Sequence, residues 1–109
     1  MSLLKHLGIK HPIFLAPMAG VSTPELAAEV SNQGALGALG LGACTVSSAR
    51  DQILKTQELT DQPFQVNFFC HQPAVLDPHK AQQWIDYLKP QFNTYGAMPP
   101  AQLNCIYPS

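Results

Sequence analysis

The chain has 109 residues, of which 46% are apolar and 12% are charged, and its formal net charge is −1. This length suits one domain, and the low charge excludes a solvated, disordered chain. The sequence has no basic block, which argues against a nucleic-acid or membrane-surface binder, and no uncharged apolar run reaches the ~20 residues of a membrane-spanning helix.

The first apolar run, residues 12–18, opens with a proline and predicts a short buried strand. Pro17 has no N–H group, so the hydrogen-bond ladder of this strand should end there. A helix is expected near residues 23–33, with Ser22 or Thr23 as its N-cap. Ser22 has a glutamate three residues later, which is the capping-box pattern.

Two further strand–helix pairs follow along the chain. A glycine-rich segment predicts a strand near residues 36–41, followed by a helix near residues 46–58. A third apolar run predicts a strand near residues 64–70, and an Asp-Pro pair then begins a helix near residues 78–89. A proline ends that helix, and residues 90–109 read as a loop tail.

The predicted order is therefore βαβαβα, which indicates an α/β fold with a parallel sheet, right-handed crossovers and strand order 1-2-3. A parallel sheet normally has both faces covered and its edges protected. Three strands with glycine-rich, apolar edges satisfy this poorly. The chain is expected to be one partial domain, the front of a larger α/β protein, and to self-associate through exposed strand edges.

In parallel α/β folds, ligands bind at the carboxyl ends of the strands. The segments Ala16–Gly20, Gly42–Thr45 and Asn67–His71 follow the three predicted strands, so we expect them to line one edge of the sheet. Asn67 stands among apolar residues, and its buried amide must find a hydrogen-bond partner. That partner is either a neighbouring loop backbone or the polar edge of a cofactor, and the two readings are equally supported by its position.

The remaining candidate groups favour structural roles. His71 precedes a loop and is more typical of a surface or capping residue than of a base. The histidines lack metal-ligand spacing, so no metal site is expected. The glycines match neither the dinucleotide fingerprint nor the P-loop. Cys44, Cys70 and Cys105 form no CxxC pattern and cannot all pair, which favours free thiols in a cytoplasmic protein.

Taken together, three segments carry a family resemblance. Residues Pro12–Gly37, Gln65–His71 and Gly96–Ala101 resemble the opening part of nitronate monooxygenases, formerly called 2-nitropropane dioxygenases. The Pro-Met-Ala-Gly segment alone is shared with other flavin barrels, and the Asn-Phe-Phe-Cys-His segment makes the resemblance more specific.

The resemblance implies a TIM-type (β/α)₈ barrel that carries FMN and oxidises alkyl nitronates with O₂ to a carbonyl compound and nitrite. By the same resemblance, the backbone of Ala16, Pro17 and Met18 would lie along the isoalloxazine ring. Asn67 would hydrogen-bond the flavin, while Gly20 and His71 would lie near the pocket.

A barrel of this type needs ~250 residues, so the resemblance covers its first three βα units only. The family's catalytic histidine lies at the end of the next strand, and its phosphate-binding segments lie later still. No catalytic residue is therefore expected in these 109 residues. Two alternatives stand beside this interpretation. The chain is a non-catalytic truncated fragment, or it begins a flavin-dependent enoyl reductase, which shares the barrel and the Pro-Met segment.

Overall fold

The computed structural model describes residues 2–72 and 75–103. The chain divides into two compact units, Met1–Cys70 and His71–Ser109. The first unit contains helices α1 (Leu3–Leu7), α2 (Pro24–Asn32) and α3 (Val46–Leu59), and strands β1 (Gly37–Gly40) and β2 (Phe64–Asn67). The second unit contains helix α4 (Pro78–Thr94).

The sheet is parallel, with strands in the expected order. Strand β1 pairs with β2 so that Gly37 lies opposite Phe64 and Gly40 lies opposite Asn67. On the other side of β1, the first apolar run meets the sheet through a parallel bridge between Phe14 and Leu36. The parallel βα architecture predicted from the sequence is therefore present.

The first predicted strand, residues 12–18, is reduced to that bridge. The N–H of Leu15 donates to the Leu36 carbonyl at 2.9 Å, and the N–H of Leu36 donates to the Ile13 carbonyl at 3.0 Å. The ladder goes no further because Pro17 has no N–H to donate to β1. The other two strands are also shorter than predicted, and β2 ends at Asn67 instead of residue 70.

The core of the first unit lies between the sheet and helices α2 and α3. Its buried cluster comprises Ala27, Leu39, Leu41 and Ala49, with Cys44, Ile53 and Phe64 packed against it. Gly37 allows α2 to approach β1 closely, because a Cβ at this position would overlap the Ala27 carbonyl. Close helix packing therefore explains a glycine inside a strand, where it otherwise weakens the structure.

Helix α2 is capped by Thr23 and not by Ser22. The Thr23 hydroxyl accepts from the Leu26 N–H at 3.2 Å, which satisfies one of the free N–H groups at the helix start. The capping box expected for Ser22 is absent, since Glu25 pairs with Lys55 on α3 instead, with 2.6 Å between Oε1 and Nζ. The hydrogen bond from Lys55 lowers the pKa of Glu25, and the bond to Glu25 raises the pKa of Lys55.

Two features at the ends of the chain differ from the sequence prediction. Helix α4 begins at the predicted Asp77 cap but continues through Pro90 to Thr94, so the expected end at the proline is wrong. A proline removes one helical hydrogen bond, and here the helix continues past it. Helix α1 was not predicted because its five residues are too short to show periodicity.

Part of the predicted loop tail, residues 104–109 with Cys105, lies outside the described residues. Within the described part of the chain, no helix has the length and apolar character needed to cross a membrane.

Candidate functional site

The carboxyl ends of the first apolar run, of β1 and of β2 meet around Gly40. Gly40 is the register partner of Asn67 in β2, and the Leu41 N–H donates to the Asn67 carbonyl at 3.0 Å. On its other side, a Cβ at Gly40 would lie 3.0 Å from the Ala19 nitrogen and 3.1 Å from the Met18 carbonyl carbon. The structure therefore brings Met18 and Asn67 to the same end of the sheet, one on each side of Gly40.

The segment that follows β1 also lies at this edge. A Cβ at Gly42 would lie 2.7 Å from the ring of Phe69, which follows β2. The three strand-end segments of the first unit, with the third taken as residues 67–70, thus lie at one edge, as the βαβαβα order predicts. His71 belongs to the second unit and is exposed.

The loop that carries Ala16, Pro17 and Met18 is exposed but has a defined backbone. The Ser22 hydroxyl accepts from the Met18 N–H at 2.8 Å and donates to the Ala16 carbonyl at 3.1 Å. The Met18 carbonyl accepts from the N–H groups of Val21 and Ser22 at 3.1 and 2.8 Å. Gly20 has φ of 75°, a backbone conformation that suits glycine in this tight turn.

A second side chain reaches this loop from β2. The Gln65 Nε2 donates to the Leu15 carbonyl at 3.1 Å, crossing over its register partner Ala38. Side chains alternate along a strand, so Gln65 and Asn67 share one face of the sheet, whereas Phe64 packs into the core on the other. The face that carries Asn67 therefore combines amide side chains with the small residues of β1.

The described hydrogen bonds leave several polar groups at this edge open. None of them uses the backbone N–H of Ala19 or Gly20, or the side-chain amide of Asn67, within residues 2–72 and 75–103. All three residues are exposed. The Met18 N–H, in contrast, is engaged by Ser22 and is not open to a ligand.

This donor set fits the uncharged, polar edge of a planar ring system such as a flavin. The strand-end segments 16–20, 42–45 and 67–70 contain no Lys or Arg, so they offer no cation to a phosphate group. Among the described residues, no three His, Cys, Asp or Glu side chains group as a metal site would require. Cys44 is half-buried and its Sγ accepts from Gln52 Nε2 at 3.3 Å.

Sequence reasoning missed the two side chains that hold the loop. Ser22 was assigned to helix capping because neighbouring Ser and Thr residues give the same signal. Gln65 alternates with Phe64 and Val66, which places it on the polar face of the strand, but its reach to Leu15 depends on the register of three segments.

These features define the chain as consecutive parallel βα units with an open edge at the carboxyl ends of the strands. The family model described as nitronate monooxygenase matches residues 1–103. The chain belongs to the nitronate monooxygenase family, whose members are generally flavin-dependent.

Individual relatives agree with this assignment. The chain is 56% identical over 108 residues to a nitronate monooxygenase of Paraburkholderia phytofirmans, with coverage of 99% of this chain and 30% of the relative. It is 50% identical over 101 residues to a nitronate monooxygenase of Pseudomonas aeruginosa, covering 93% of this chain and 29% of the relative. The chain therefore spans about 30% of the length of these curated relatives.

Solved structures show the same fold. A nitroalkane oxidase from Streptomyces ansochromogenes is similar with a TM-score of 0.72 and 36% identity, covering 88% of this chain and 27% of that one. FabK from Thermotoga maritima is similar with a TM-score of 0.61 and 34% identity, covering 82% and 27% respectively. The predicted fold class, the first units of an incomplete (β/α)₈ barrel, is confirmed.

Proposed function

We propose that this chain forms one wall of the flavin site in an FMN-dependent enzyme that oxidises alkyl nitronates with O₂ to a carbonyl compound and nitrite. The observation that carries the proposal is the convergence of Met18, Gly40 and Asn67 at one exposed sheet edge. Ligands of barrel enzymes bind at this end of the strands, and membership of the nitronate monooxygenase family supplies the chemistry.

The residues present would hold the ring of the cofactor, not its phosphate. The exposed backbone of Ala16, Pro17 and Met18 would lie against the planar ring, and the Asn67 amide can both donate to and accept from its polar edge. When bound, FMN supplies the electron-accepting centre between the nitronate and O₂. Gly20 and His71 are proposed pocket residues.

The chain holds no group that we assign to proton transfer. FMN phosphate needs a helix N-terminus or a set of backbone N–H donors, and the strand-end segments 16–20, 42–45 and 67–70 provide no cation for it. The proposed activity therefore depends on further barrel strands. The free thiols of Cys44 and Cys70 suit a cytoplasmic location, which we propose together with this function.

The test is a chimera in which residues 1–103 replace the matching stretch of the Paraburkholderia phytofirmans relative, with the unmodified relative as control. We expect a purified yellow protein with a flavin spectrum and nitrite release from propane-2-nitronate. A folded chimera without flavin would contradict the proposal. A flavin-containing chimera that reduces an enoyl thioester with NAD(P)H, and releases no nitrite, would support the enoyl-reductase alternative.

The 109 residues alone should bind FMN very weakly and oxidise no nitronate, as the fragment alternative requires. Phe68 and Phe69 are 52% and 50% exposed beside an open strand edge, so association is also expected. Flavin fluorescence quenching, nitrite production and size-exclusion chromatography measure these properties. Micromolar FMN binding with steady nitrite release would show that this chain is sufficient by itself.

A further inference from the structure

Apart from the bond from the Leu15 N–H to the Leu36 carbonyl, the segment Leu15–Met18 is held in place by side chains and not by a strand ladder. If the ladder continued from the Phe14–Leu36 bridge, the Leu15 carbonyl and the N–H of residue 17 would both bond to β1. Residue 17 is a proline and has no N–H. The Leu15 carbonyl accepts instead from Gln65 Nε2 at 3.1 Å.

Ser22 supplies the other two bonds. Its hydroxyl accepts from the Met18 N–H at 2.8 Å and donates to the Ala16 carbonyl at 3.1 Å. The residue is only 5% exposed, although the loop around it is exposed. A buried hydroxyl with both its donor and its acceptor used is a strong constraint on backbone geometry, because losing it leaves its backbone partners unpaired.

We infer that Ser22 and Gln65, the Ser22–Gln65 clamp, are positioning residues for the backbone segment that faces the flavin. This inference rests on the proposed function. The clamp fixes the carbonyls of Leu15 and Ala16 and the N–H of Met18. The segment therefore keeps its shape before any ligand arrives, which reduces the ordering that binding requires.

The clamp also determines which backbone donors face a ligand. With the Met18 N–H engaged by Ser22 and no N–H on Pro17, the backbone N–H groups of residues 16–20 that no described hydrogen bond uses are those of Ala16, Ala19 and Gly20. Loss of Ser22 would release the Met18 N–H and the Ala16 carbonyl together. A change at Ser22 should therefore alter the flavin's surroundings and not only its affinity.

Ser31 provides a matched control. Its hydroxyl is also buried, accepts from the Gly37 N–H at 3.1 Å and donates to the Pro63 carbonyl at 2.9 Å. It has the same hydrogen-bond arrangement as Ser22 but lies at the amino end of the strands, where β1 begins and just before β2.

The first experiment uses the 109-residue chain and needs no flavin. Amide hydrogen exchange is followed by NMR in the wild type and in Ser22→Ala, Ser22→Thr and Ser31→Ala. In Ser22→Ala, Met18 amide exchange should accelerate roughly tenfold, as expected for one lost hydrogen bond of this kind. Ser22→Thr should restore protection, while Ser31→Ala should accelerate Gly37 exchange and leave Met18 unchanged.

The second experiment uses the flavin-loaded chimera. Ser22→Ala and Gln65→Leu should each weaken FMN binding roughly tenfold and shift the visible absorption maximum of the flavin. Ser22→Thr should restore both properties. Ser31→Ala should lower the melting temperature but leave the FMN dissociation constant and the flavin spectrum as in the wild type.

Three results would overturn the inference in whole or in part. Unchanged Met18 exchange in Ser22→Ala would show that the clamp does not hold the backbone. Equal losses of FMN affinity in Ser22→Ala and Ser31→Ala would show a general stability effect. A wild-type chimera without flavin would overturn the proposed function and the flavin-facing role together, while the exchange experiment would still decide whether Ser22 anchors Met18.

Discussion

A buried serine lies at each end of the sheet, Ser31 at the amino end and Ser22 at the carboxyl end. Both make the same arrangement of hydrogen bonds, but they connect different parts of the chain. At the amino end, Ser31 on α2 joins the first residue of β1 to the residue before β2, so one hydroxyl links three elements. At the carboxyl end, Ser22 joins Met18 to Ala16 within a single loop.

Under the proposed function, this difference separates a role in stability at the amino end from a role in ligand binding at the carboxyl end. The amino end is closed, with Ser31 1% and Leu36 6% exposed, whereas Met18 at the carboxyl end is 37% exposed. In (β/α)₈ barrels the amino face generally supports stability and the carboxyl face carries function. Under the proposed function, one type of hydrogen bond would serve stability where it joins elements and ligand binding where it shapes an exposed loop.

The largest expected effect is at the closed end. In Gly37→Ala, the new Cβ would overlap the Ala27 carbonyl, and no side-chain rotation can move the Cβ or the backbone carbonyl away. Helix α2 must shift, so we expect a loss of about 3 kcal/mol in the free energy of unfolding of the first unit. Denaturant-dependent amide exchange of β1 measures this loss, and wild-type stability would contradict the close packing of α2 on β1.

Ser31→Ala should have the next largest effect. It leaves the Gly37 N–H and the Pro63 carbonyl without their buried partner, at a cost of about 2 kcal/mol in unfolding free energy. The same exchange measurement applies. A larger loss of unfolding free energy in Ser22→Ala than in Ser31→Ala would contradict the comparison between the two ends.

Asn67→Ala should affect cofactor binding more than folding. The lost hydrogen bond should cost about 0.5–1.5 kcal/mol of FMN affinity in the chimera. Asn32→Ala is the matched control at the amino end, because Asn32 Nδ2 donates to the Leu59 carbonyl at 3.3 Å and its Oδ1 accepts from Thr60. Unchanged flavin occupancy after dialysis of Asn67→Ala, together with a lower melting temperature, would indicate a structural asparagine.

Gly40→Ala should displace the exposed loop slightly. The added Cβ would lie 3.0 Å from the Ala19 nitrogen, and the loop can yield where α2 at Gly37 cannot. We expect a loss of about 0.5 kcal/mol in unfolding free energy, in the range of surface substitutions, with a measurable fall in FMN affinity. A destabilisation equal to that of Gly37→Ala would show that the carboxyl end is as tightly packed as the amino end.

The smallest effect concerns the exposed pair of Glu25 and Lys55. Because Lys55 lowers the folded-state pKa of Glu25, the stabilisation is present above the ordinary pKa of an unfolded glutamate and is lost as the pH falls through the lower folded value. A melting-temperature difference between wild type and Glu25→Gln should therefore be slight at pH 7 and vanish at low pH. High salt should reduce it at pH 7, and a difference that persists in strong acid would contradict the pairing.

The sequence was sufficient for the elements whose signals are local. The cap at Asp77 and the apolar stripes of α2 and α3 follow from spacing, and the end of the first ladder follows from Pro17. The carboxyl-end location of Ala16–Met18 and Asn67 followed from the βαβαβα order alone.

The remainder depended on contacts between distant residues. Ser22 and Thr23 carry the same capping signal, and only the position of α2 on the sheet decides which one caps it. The bond from Gln65 to Leu15 spans 50 positions, so no local pattern predicts it. Pro90 is the opposite case. Its local sequence signal predicts the end of a helix, but α4 continues to Thr94.

Within the described residues, Phe14 meets β1 through one bridge, so the edge that carries Ala16–Met18 has few ladder bonds. Opening this edge breaks the two bonds at Leu36 and the side-chain anchor from Gln65, while the Ser22 bonds, which lie within the loop, and the β1–β2 ladder stay intact. The free energy of local opening follows the contacts that are broken, so this edge should separate before the rest of the sheet. A ligand that binds the closed edge raises that opening free energy by mass action. Ligand binding should therefore be detected first as slower amide hydrogen exchange at Leu15 and Leu36, before any change in the melting temperature of the protein.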